Sequence, residues 1–202
     1  MKTPLNKYFD KIYCINLDEA TDRWENCVKQ FELHGLDVER FPAIKVETGA
    51  NGLLRGEIGV MRSNYEIINK AKELGLENVL ILEDDFVFID DFNNIFEKLI
   101  EQIPENWDFL YFGGNHLGGL TYVSENIYRM KHSYALHSFA VKNTMFDTIL
   151  NTLPNEKVQV DVYYAQMMPF CNAYAFRPNI SYQRDGFSYI QKQYKSYEFL
   201  KL

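Results

Sequence analysis

The stretch Asn78–Asp85, NVLILEDD, decides the fold because it joins an apolar strand directly to three acids. Its run Val79–Leu82 has no polar alternation, which predicts a strand that is buried on both faces in a parallel sheet. Ligands of such sheets bind beyond the carboxyl ends of the strands. The acids Glu83, Asp84 and Asp85 therefore stand where a ligand site is expected.

Strands and helices alternate on either side of this stretch. Apolar runs rich in β-forming residues predict strands at 12–17, 38–44, 79–82, 107–114, 134–141 and 174–176. Apolar residues at helical spacing, with capping residues at their ends, predict helices at about 24–35, 58–74, 91–103, 144–153 and 160–168. This alternation is typical of an α/β domain with a mainly parallel central sheet and flanking helices.

The composition indicates a globular protein and excludes several classes of function. Of the 202 residues 47% are hydrophobic, and no linker divides the chain, so we expect one domain over 1–202. The formal charge of −7 argues against nucleic-acid binding. The N-terminus lacks the apolar core of a signal peptide, and the longest aliphatic run is too short to span a membrane. With three widely spaced cysteines, these features favour a bacterial or viral cytoplasmic setting.

The spacing of the three acids suits a hard metal ion. If the strand pleat continues through them, Glu83 and Asp85 point to one side and Asp84 to the other. Two carboxylates that face one crevice can hold Mg²⁺ or Mn²⁺, with diphosphate oxygens and water as the remaining ligands. Such an ion neutralises the charge that grows on a departing nucleoside diphosphate. The pattern alone also allows a solvated turn or a helix N-cap, which needs only one acid.

The order of short segments along the chain resembles glycosyltransferase family 25, which includes lipooligosaccharide and procollagen galactosyltransferases. Each segment is unspecific alone, but their number, order and spacing extend across nearly the entire chain. The matching segments are Ile15–Asp18 with Asp22 and Arg23, Arg40–Ala43, Gly56–Gly59 with Ser63, Asn78–Asp85, Trp107–Gly113, His137–Val141, Val160 with Asp161, and Pro178 with Gln183.

This resemblance implies a nucleotide-binding fold of the GT-A type and a metal-dependent glycosyltransferase that inverts the anomeric carbon. The donor would be a UDP-hexose such as UDP-galactose or UDP-glucose, and the cofactor would be Mn²⁺ or Mg²⁺. The acceptor would be a hydroxyl group of a glycan or a protein. Residues 1 to about 115 would bind the donor, and residues from about 116 to 202 would supply the acceptor site and the catalytic base.

The resemblance also implies which residues bind the metal and the donor. Glu83 and Asp85 occupy the ends of a DxD-like motif, and Asp85 is the first candidate for a metal ligand. Arg23 would reach the donor phosphate from the start of a helix, although a surface ion pair would explain it equally well. The candidates for donor binding are Asn16, Asp18, Arg23, Arg62, Ser63, Glu83, Asp84 and Gln183.

The second half of the chain contains the candidates for the base and the acceptor site. An inverting transfer needs a carboxylate that takes the acceptor proton. Asp161 is the candidate because it starts a predicted helix and matches the family's Val-Asp pair, while a helix cap or an ion pair is the alternative role. The acceptor candidates are Asn115, His116 and His137, although a lone strand histidine is more often structural. The aromatic segment 187–199 would cover the acceptor groove, the sheet edge or another subunit.

Departures from the family pattern leave a second interpretation open. Glu19 and Ala20 stand where the family often has a basic residue, and an acid is common near Lys45. Ser63-Asn64 replaces the usual Ser-His pair. The loss of this histidine favours a catalytically degenerate domain that binds nucleotide or glycan without turnover. A metal-dependent phosphohydrolase fits less well, because neither further metal ligands nor a nucleophilic acid in a separate motif is evident. A glycosidase also fits less well, because nothing pairs an acid of raised pKa with a nucleophile.

Overall fold

The fold is organised around a mixed sheet of eight strands in this computed structural model, which describes residues 2–188, 190 and 192–201. In order across the sheet, the strands are β2 (Glu39–Pro42), β1 (Lys11–Asn16), β3 (Asn78–Glu83), β10 (Ser138–Lys142), β5 (Phe109–Tyr111), β11 (Ala173–Phe176), β8 (Ile127–Met130) and β7 (Leu120–Tyr122). Six of them run in one direction, and β10 and β8 run in the other. The predicted α/β class and the mainly parallel direction of the sheet are confirmed.

Helices cover both faces of this sheet. The described α-helices are α1 (Pro4–Tyr8), α2 (Thr21–His34), α3 (Arg55–Glu73), α4 (Phe92–Ile100), α5 (Phe146–Thr152) and α6 (Val160–Met167), with short 3-10 turns at Asn143–Met145, Leu153–Asn155, Met168–Phe170 and Glu198–Lys201. Helices α3, α5 and α6 supply one hydrophobic core, and α1, α2 and α4 supply the other. In the described part of the chain, no helix combines the length and the apolar character needed to cross a membrane.

Strand β3 is buried on both faces, as its sequence predicts. Val79 and Ile81 belong to the first core, whereas Leu80 and Leu82 belong to the second, and none of the four is exposed. The strand pairs in parallel with β1 and antiparallel with β10. The register sets Ile15 of β1 opposite Glu83, so the two strands end at the same edge of the sheet. This edge carries the acids.

Shorter strands surround the main sheet and differ most from the prediction. They form three two-stranded ladders: β4 (Phe86–Phe88) with β12 (Ser181–Gln183), β6 (Asn115–His116) with β9 (Ser133–Tyr134), and β13 (Gly186–Ser188) with β14 (Gln193–Lys195). The predicted strand 134–141 is divided between β9 and β10, because Ala135 has a left-handed backbone with φ of 70°. A left-handed alanine interrupts a strand, and its side chain does not signal this conformation in the sequence.

Gly113, which follows β5, has no room for a side chain. A Cβ atom at this position would lie 1.9 Å from the carbonyl oxygen of Ser181 and 3.0 Å from Nε2 of His137. We expect Gly113→Ala to lower the free energy of unfolding by about 2–3 kcal/mol, because the backbone of β12 must move away. Gly186→Ala is the matched control, since a Cβ atom there would have no neighbour within 4 Å among the described residues. Equal urea midpoints for the two variants would contradict the expectation.

Candidate active site

A cleft of about 1040 Å³ opens at the carboxyl edge of the sheet. One wall carries the ends of β1 and β3 with the three acids, and another is the first turn of α3. The start of α6 and the C-terminal segment, which we define as residues 183–188, 190 and 192–199, complete the lining. Of the predicted site residues, the cleft brings together Asn16, Arg23, Glu83, Asp84, Asp85, Asn115, Asp161 and Gln183.

Asp84 and Asp85 are buried, Glu83 is half-buried, and the ionisation of Glu83 and Asp84 depends on the neighbouring charges. Burial, together with the negative charges of Asp85 and Asp84, raises the pKa of Glu83 to about 8, and Arg23 opposes the shift. Burial raises the pKa of Asp84 to about 6, again against the positive charge of Arg23. A carboxyl group held in a protein with a raised pKa gains from a nearby cation. The cluster is therefore suited to bind positive charge.

Arg23 supplies part of this positive charge from the first turn of α2. Its Nη1 donates to Oδ1 of Asp84, and its Nη2 lies 2.7 Å from Oδ2 of Asp85. Gln183 donates to the same oxygen of Asp85 over 3.0 Å. The other oxygen of Asp85, Oδ1, is buried and has no hydrogen-bond partner among the described residues. Arg23 thus forms a partly buried ion pair with two acids rather than the surface pair that the sequence also allowed.

Asn16, at the end of β1, links three other residues through its side-chain amide. Its Oδ1 accepts from Nε and Nη2 of Arg40, at 3.0 and 2.8 Å, and its Nδ2 donates to Asp84 and to the carbonyl of Ala20, at 2.7 and 3.1 Å. A side-chain amide has two donors and two acceptor positions, so all four are used. The predicted contact of Asn16 with the nucleoside has no support from this amide. Asp18 is exposed and pairs with Arg40 over 2.9 Å.

Asp161 lies on another wall of the cleft, in the first turn of α6. Its Oδ1 accepts from the backbone N–H of Val162 over 2.8 Å. Burial raises the pKa of Asp161 above its ordinary value. Its charge also contributes to the raised pKa of Glu83, so the two carboxyl groups lie within each other's electrostatic field. Asp161 therefore shares the space that the acid cluster faces.

Two predicted donor residues on α3 lie outside the cleft. Arg62 is exposed and does not contribute to the lining. Ser63 is fully buried, where its Oγ accepts from the N–H of Ile44 over 2.9 Å and donates to the carbonyl of Gly59 over 2.8 Å. Asn64, which replaces the family's histidine, is also buried and bonds to the carbonyl of Val60. Their placement gives no support to a direct contact with the donor.

The two predicted acceptor histidines lie behind the cleft wall, whereas Asn115 lines it. His116 lies 2.9 Å from Oγ of Ser133 and 3.3 Å from Oδ1 of Asn179, and burial lowers its pKa to about 4. His137 is completely buried, which lowers its pKa. Neither histidine lines the cleft, and a contact with the acceptor stays a prediction for Asn115, His116 and His137.

The C-terminal segment brings residues to the cleft that sequence reasoning did not single out. Asp185 accepts from the N–H of Tyr197 over 2.6 Å and from Oγ of Ser196 over 3.1 Å. These two bonds hold Ser196 and Tyr197 close to Asp185. Tyr197 lines the cleft, and burial and the charges of Asp85 and Glu83 raise its pKa to about 12. The aromatic pattern raised the alternative that this segment covers the groove, but no motif marked Tyr197.

The acid cluster supplies some, but not all, of the ligands that a divalent cation needs. Among the described residues, no group of three or more His, Cys, Asp or Glu side chains is placed to hold a metal ion. Glu83 and Asp85 offer two carboxylates, and the unpartnered Oδ1 of Asp85 is a free ligand atom. Mg²⁺ is commonly bound through one or two carboxylates together with substrate phosphates and water. The residues therefore fit an ion that takes its remaining ligands from a phosphorylated substrate.

The fold and the acid-lined cleft define a class of α/β protein that binds its ligand at the carboxyl ends of the strands. The crystal structure of A197 from STIV shares this fold, with a TM-score of 0.50 and 13% identity, over 91% of this chain and 92% of that one. The model of glycosyltransferase family 25 (LPS biosynthesis protein) matches residues 48–168. The chain belongs to this family, as its sequence motifs predict.

Curated relatives carry different names. A glycosyltransferase 25 family member of Anopheles gambiae is 34% identical over 129 residues, with 52% of this chain and 22% of that protein covered. Procollagen galactosyltransferase 2 of Homo sapiens is 26% identical over 136 residues, 55% of this chain and 22% of that protein. Inactive glycosyltransferase 25 family member 3 of Homo sapiens is 27% identical over 136 residues, with 55% and 23% covered. The matched part of the chain thus spans about a fifth of these relatives' length.

The buried His116 makes the stability of the fold depend on pH. Its pKa is about 4 in the folded protein and 6.5 as the ordinary value, so the stabilisation is complete above pH 6.5 and is lost as the pH falls towards 4. Over that range we expect protonation of His116 to lower the free energy of unfolding by up to about 3 kcal/mol. His116→Gln should flatten the profile measured by urea unfolding between pH 7 and 4. A constant difference between wild type and variant would contradict this.

Proposed function

We propose that this chain is an active, inverting hexosyltransferase that uses a UDP-sugar and a divalent cation to glycosylate an acceptor hydroxyl. The observation that carries the proposal is the shared cleft, in which Asp161 and the acids Glu83 and Asp85 line the same space. Membership of family 25 supports the reaction class. The name of the human procollagen galactosyltransferase supports galactose as the transferred hexose, and the acceptor would be a hydroxyl of a glycan or a protein.

On the acceptor side, Asp161 would act as the general base. The carboxylate takes the proton of the acceptor hydroxyl as the oxygen attacks the anomeric carbon from the face opposite the leaving diphosphate. A new glycosidic bond forms, the bond to the diphosphate breaks, and the configuration inverts. Because burial raises the pKa of Asp161, its carboxylate is a stronger base than an exposed aspartate. The hydrogen bond from Val162 fixes one of its oxygens and leaves the other for the proton.

On the donor side, Glu83 and Asp85 would hold Mn²⁺ or Mg²⁺. The bound ion would supply neutralisation of the charge on the departing diphosphate. Gln183 and Arg23 keep Asp85 oriented, with donor atoms 3.0 and 2.7 Å from its Oδ2. The first turn of α3 faces the same cleft, and a helix N-terminus favours a phosphate group.

An inactive binding domain is the alternative, because one relative is named an inactive family member. The replacement of the family's histidine by Asn64 also favours it. Two observations favour activity instead. Asn64 is buried outside the lining of the cleft, so its exchange leaves the lining unchanged. The acids Glu83, Asp84, Asp85 and Asp161 are all present in the cleft.

Asp161→Asn tests the base. The amide keeps the shape of the side chain but cannot accept the proton, so we expect turnover to fall by about 10²–10⁴-fold. The affinity for UDP, measured by calorimetry, should stay within about twofold of wild type. Asp147→Asn is the matched control, because Asp147 also lies in the first turn of a helix but is exposed and outside the cleft. Unchanged turnover in Asp161→Asn would remove this residue from the mechanism.

Donor hydrolysis tests the reaction class and the cation together. Wild type and Asp85→Ala are incubated with a panel of nucleotide sugars, with Mn²⁺ or with a chelator, and nucleoside diphosphate is measured. We expect metal-dependent release from one donor and its loss in Asp85→Ala, because this variant removes the free ligand oxygen. If no donor is hydrolysed with or without candidate acceptors while UDP still binds, the inactive binding domain is the better interpretation.

A further inference from the structure

Arg23 occupies a position that overlaps the binding site of the proposed cation. Its guanidinium bridges two acids, with Nη1 on Asp84 and Nη2 on Asp85, the latter at 2.7 Å. The second oxygen of Asp85 is buried and has no hydrogen-bond partner in the part of the chain that the structure describes. The same carboxylate is thus bound by one cationic group and still offers a ligand atom to another.

Asp84 and Asp85, which both bind Arg23, differ in how many of their carboxylate oxygens already accept a hydrogen bond. Asp84 uses both oxygens within the protein, since Oδ1 accepts from Arg23 and Oδ2 accepts from Asn16 over 2.7 Å. Asn16 is itself fixed by two hydrogen bonds from Arg40 and by its own bond to Ala20. Among the described residues, Asp85 has hydrogen-bond partners at Oδ2 alone, where Arg23 and Gln183 donate. The bond of Arg23 to Asp84 is therefore the anchored one, and the bond to Asp85 is the exchangeable one.

We infer that Arg23 is an internal cation that neutralises Asp85 until a divalent ion binds there. It then keeps its Nη1 bond to Asp84 and turns its Nη2 end towards the diphosphate of the donor. This inference rests on the proposed function, because it takes Glu83 and Asp85 as the ligands of the ion. Arg23 would be a positioning residue in the resting protein and a donor-binding residue in the loaded one.

Electrostatics and geometry both support an exchange. A guanidinium and a divalent ion on one carboxylate repel each other, and in a partly buried site this repulsion is weakly screened. The planar guanidinium presents separate N–H groups to two partners, so it can leave one and keep the other. Its released N–H groups match the oxygens of a phosphate, which form charge-assisted hydrogen bonds with arginine.

The inference predicts opposite effects on metal and nucleotide when Arg23 is replaced by Gln. Without nucleotide, Arg23→Gln should bind Mn²⁺ about tenfold more tightly than wild type, because the competing cation is gone. With saturating Mn²⁺, its affinity for UDP should fall about tenfold, because the contact with the diphosphate is lost. Free Mn²⁺ is followed by its electron paramagnetic resonance signal at pH 8, and UDP binding is followed by calorimetry.

Lys98→Gln is the control variant, and the Tm is a second readout. Lys98→Gln removes one positive charge from the exposed surface of α4 and should change neither affinity. If Arg23→Gln unfolds easily, Mn²⁺ should raise its Tm more than it raises that of wild type. Arg23→Lys serves where the Gln variant does not fold: it keeps the charge without the two-pronged contact, so its UDP affinity should fall and its Mn²⁺ affinity should not fall.

Three results would contradict the exchange, and they have different consequences for the proposed function. If Arg23→Gln lowers both affinities, Arg23 has a structural role and the exchange is refuted, while the proposed transferase stands. The same holds if the variant and wild type bind Mn²⁺ equally. If neither protein binds Mn²⁺ although both bind UDP, the exchange and the metal dependence of the proposed function fail together.

Discussion

The pairing of buried Asp84 with Arg23 is the interaction on which the arrangement of the site depends. A buried carboxylate is costly unless charge and hydrogen bonds compensate it. Here the compensation comes from separate elements, because Arg23 belongs to α2, Asn16 ends β1, and Arg40 of β2 holds Asn16. The end of β3 is thereby tied to a helix and two strands. A displacement of any of these elements would therefore move the acids, because hydrogen bonds join them.

Asp85 joins this network to the far end of the described chain. Its Oδ2 accepts from Arg23 on one side and from Gln183 on the other, and its backbone carbonyl accepts from the N–H of Arg184 over 2.7 Å. The first and last parts of the described chain therefore meet at one residue. The four central residues of β3 are buried and the strand pairs with β1 and β10, so this junction directly follows the core of the sheet. Tyr197 lines the same cleft, and the charges of Asp85 and Glu83 contribute to its raised pKa.

Sequence reasoning succeeded where the signal is local. The apolar run Val79–Leu82 next to three acids defines both a buried strand and a ligand edge, and α6 begins at Val160 as its pattern predicts. It failed where distant residues decide the outcome. Arg40 lies 24 positions from Asn16, and Arg23 lies 61 from Asp84, so neither contact has a signature in spacing.

Conformation and environment account for the remaining differences. The left-handed Ala135 divides a strand that hydrophobicity alone would continue, because the backbone angle depends on tertiary packing. Ser63 and His116 are polar residues in motif-like positions, and packing turned both inward to satisfy buried neighbours. Residue type predicts that such groups need partners, but not whether the partner is a ligand or the protein itself.

The saturated amide of Asn16 has a consequence for the design of inhibitors. A nucleotide analogue that aims a polar group at this amide must break one existing hydrogen bond for each new one, so the exchange yields little affinity. The neighbouring pair of Glu19 and Lys45 is different, because both side chains are about half exposed, at 52% and 54%, and both line the cleft. A compound that binds in this cleft can direct polar groups to this pair, where they compete with water and with the Glu19–Lys45 ion pair.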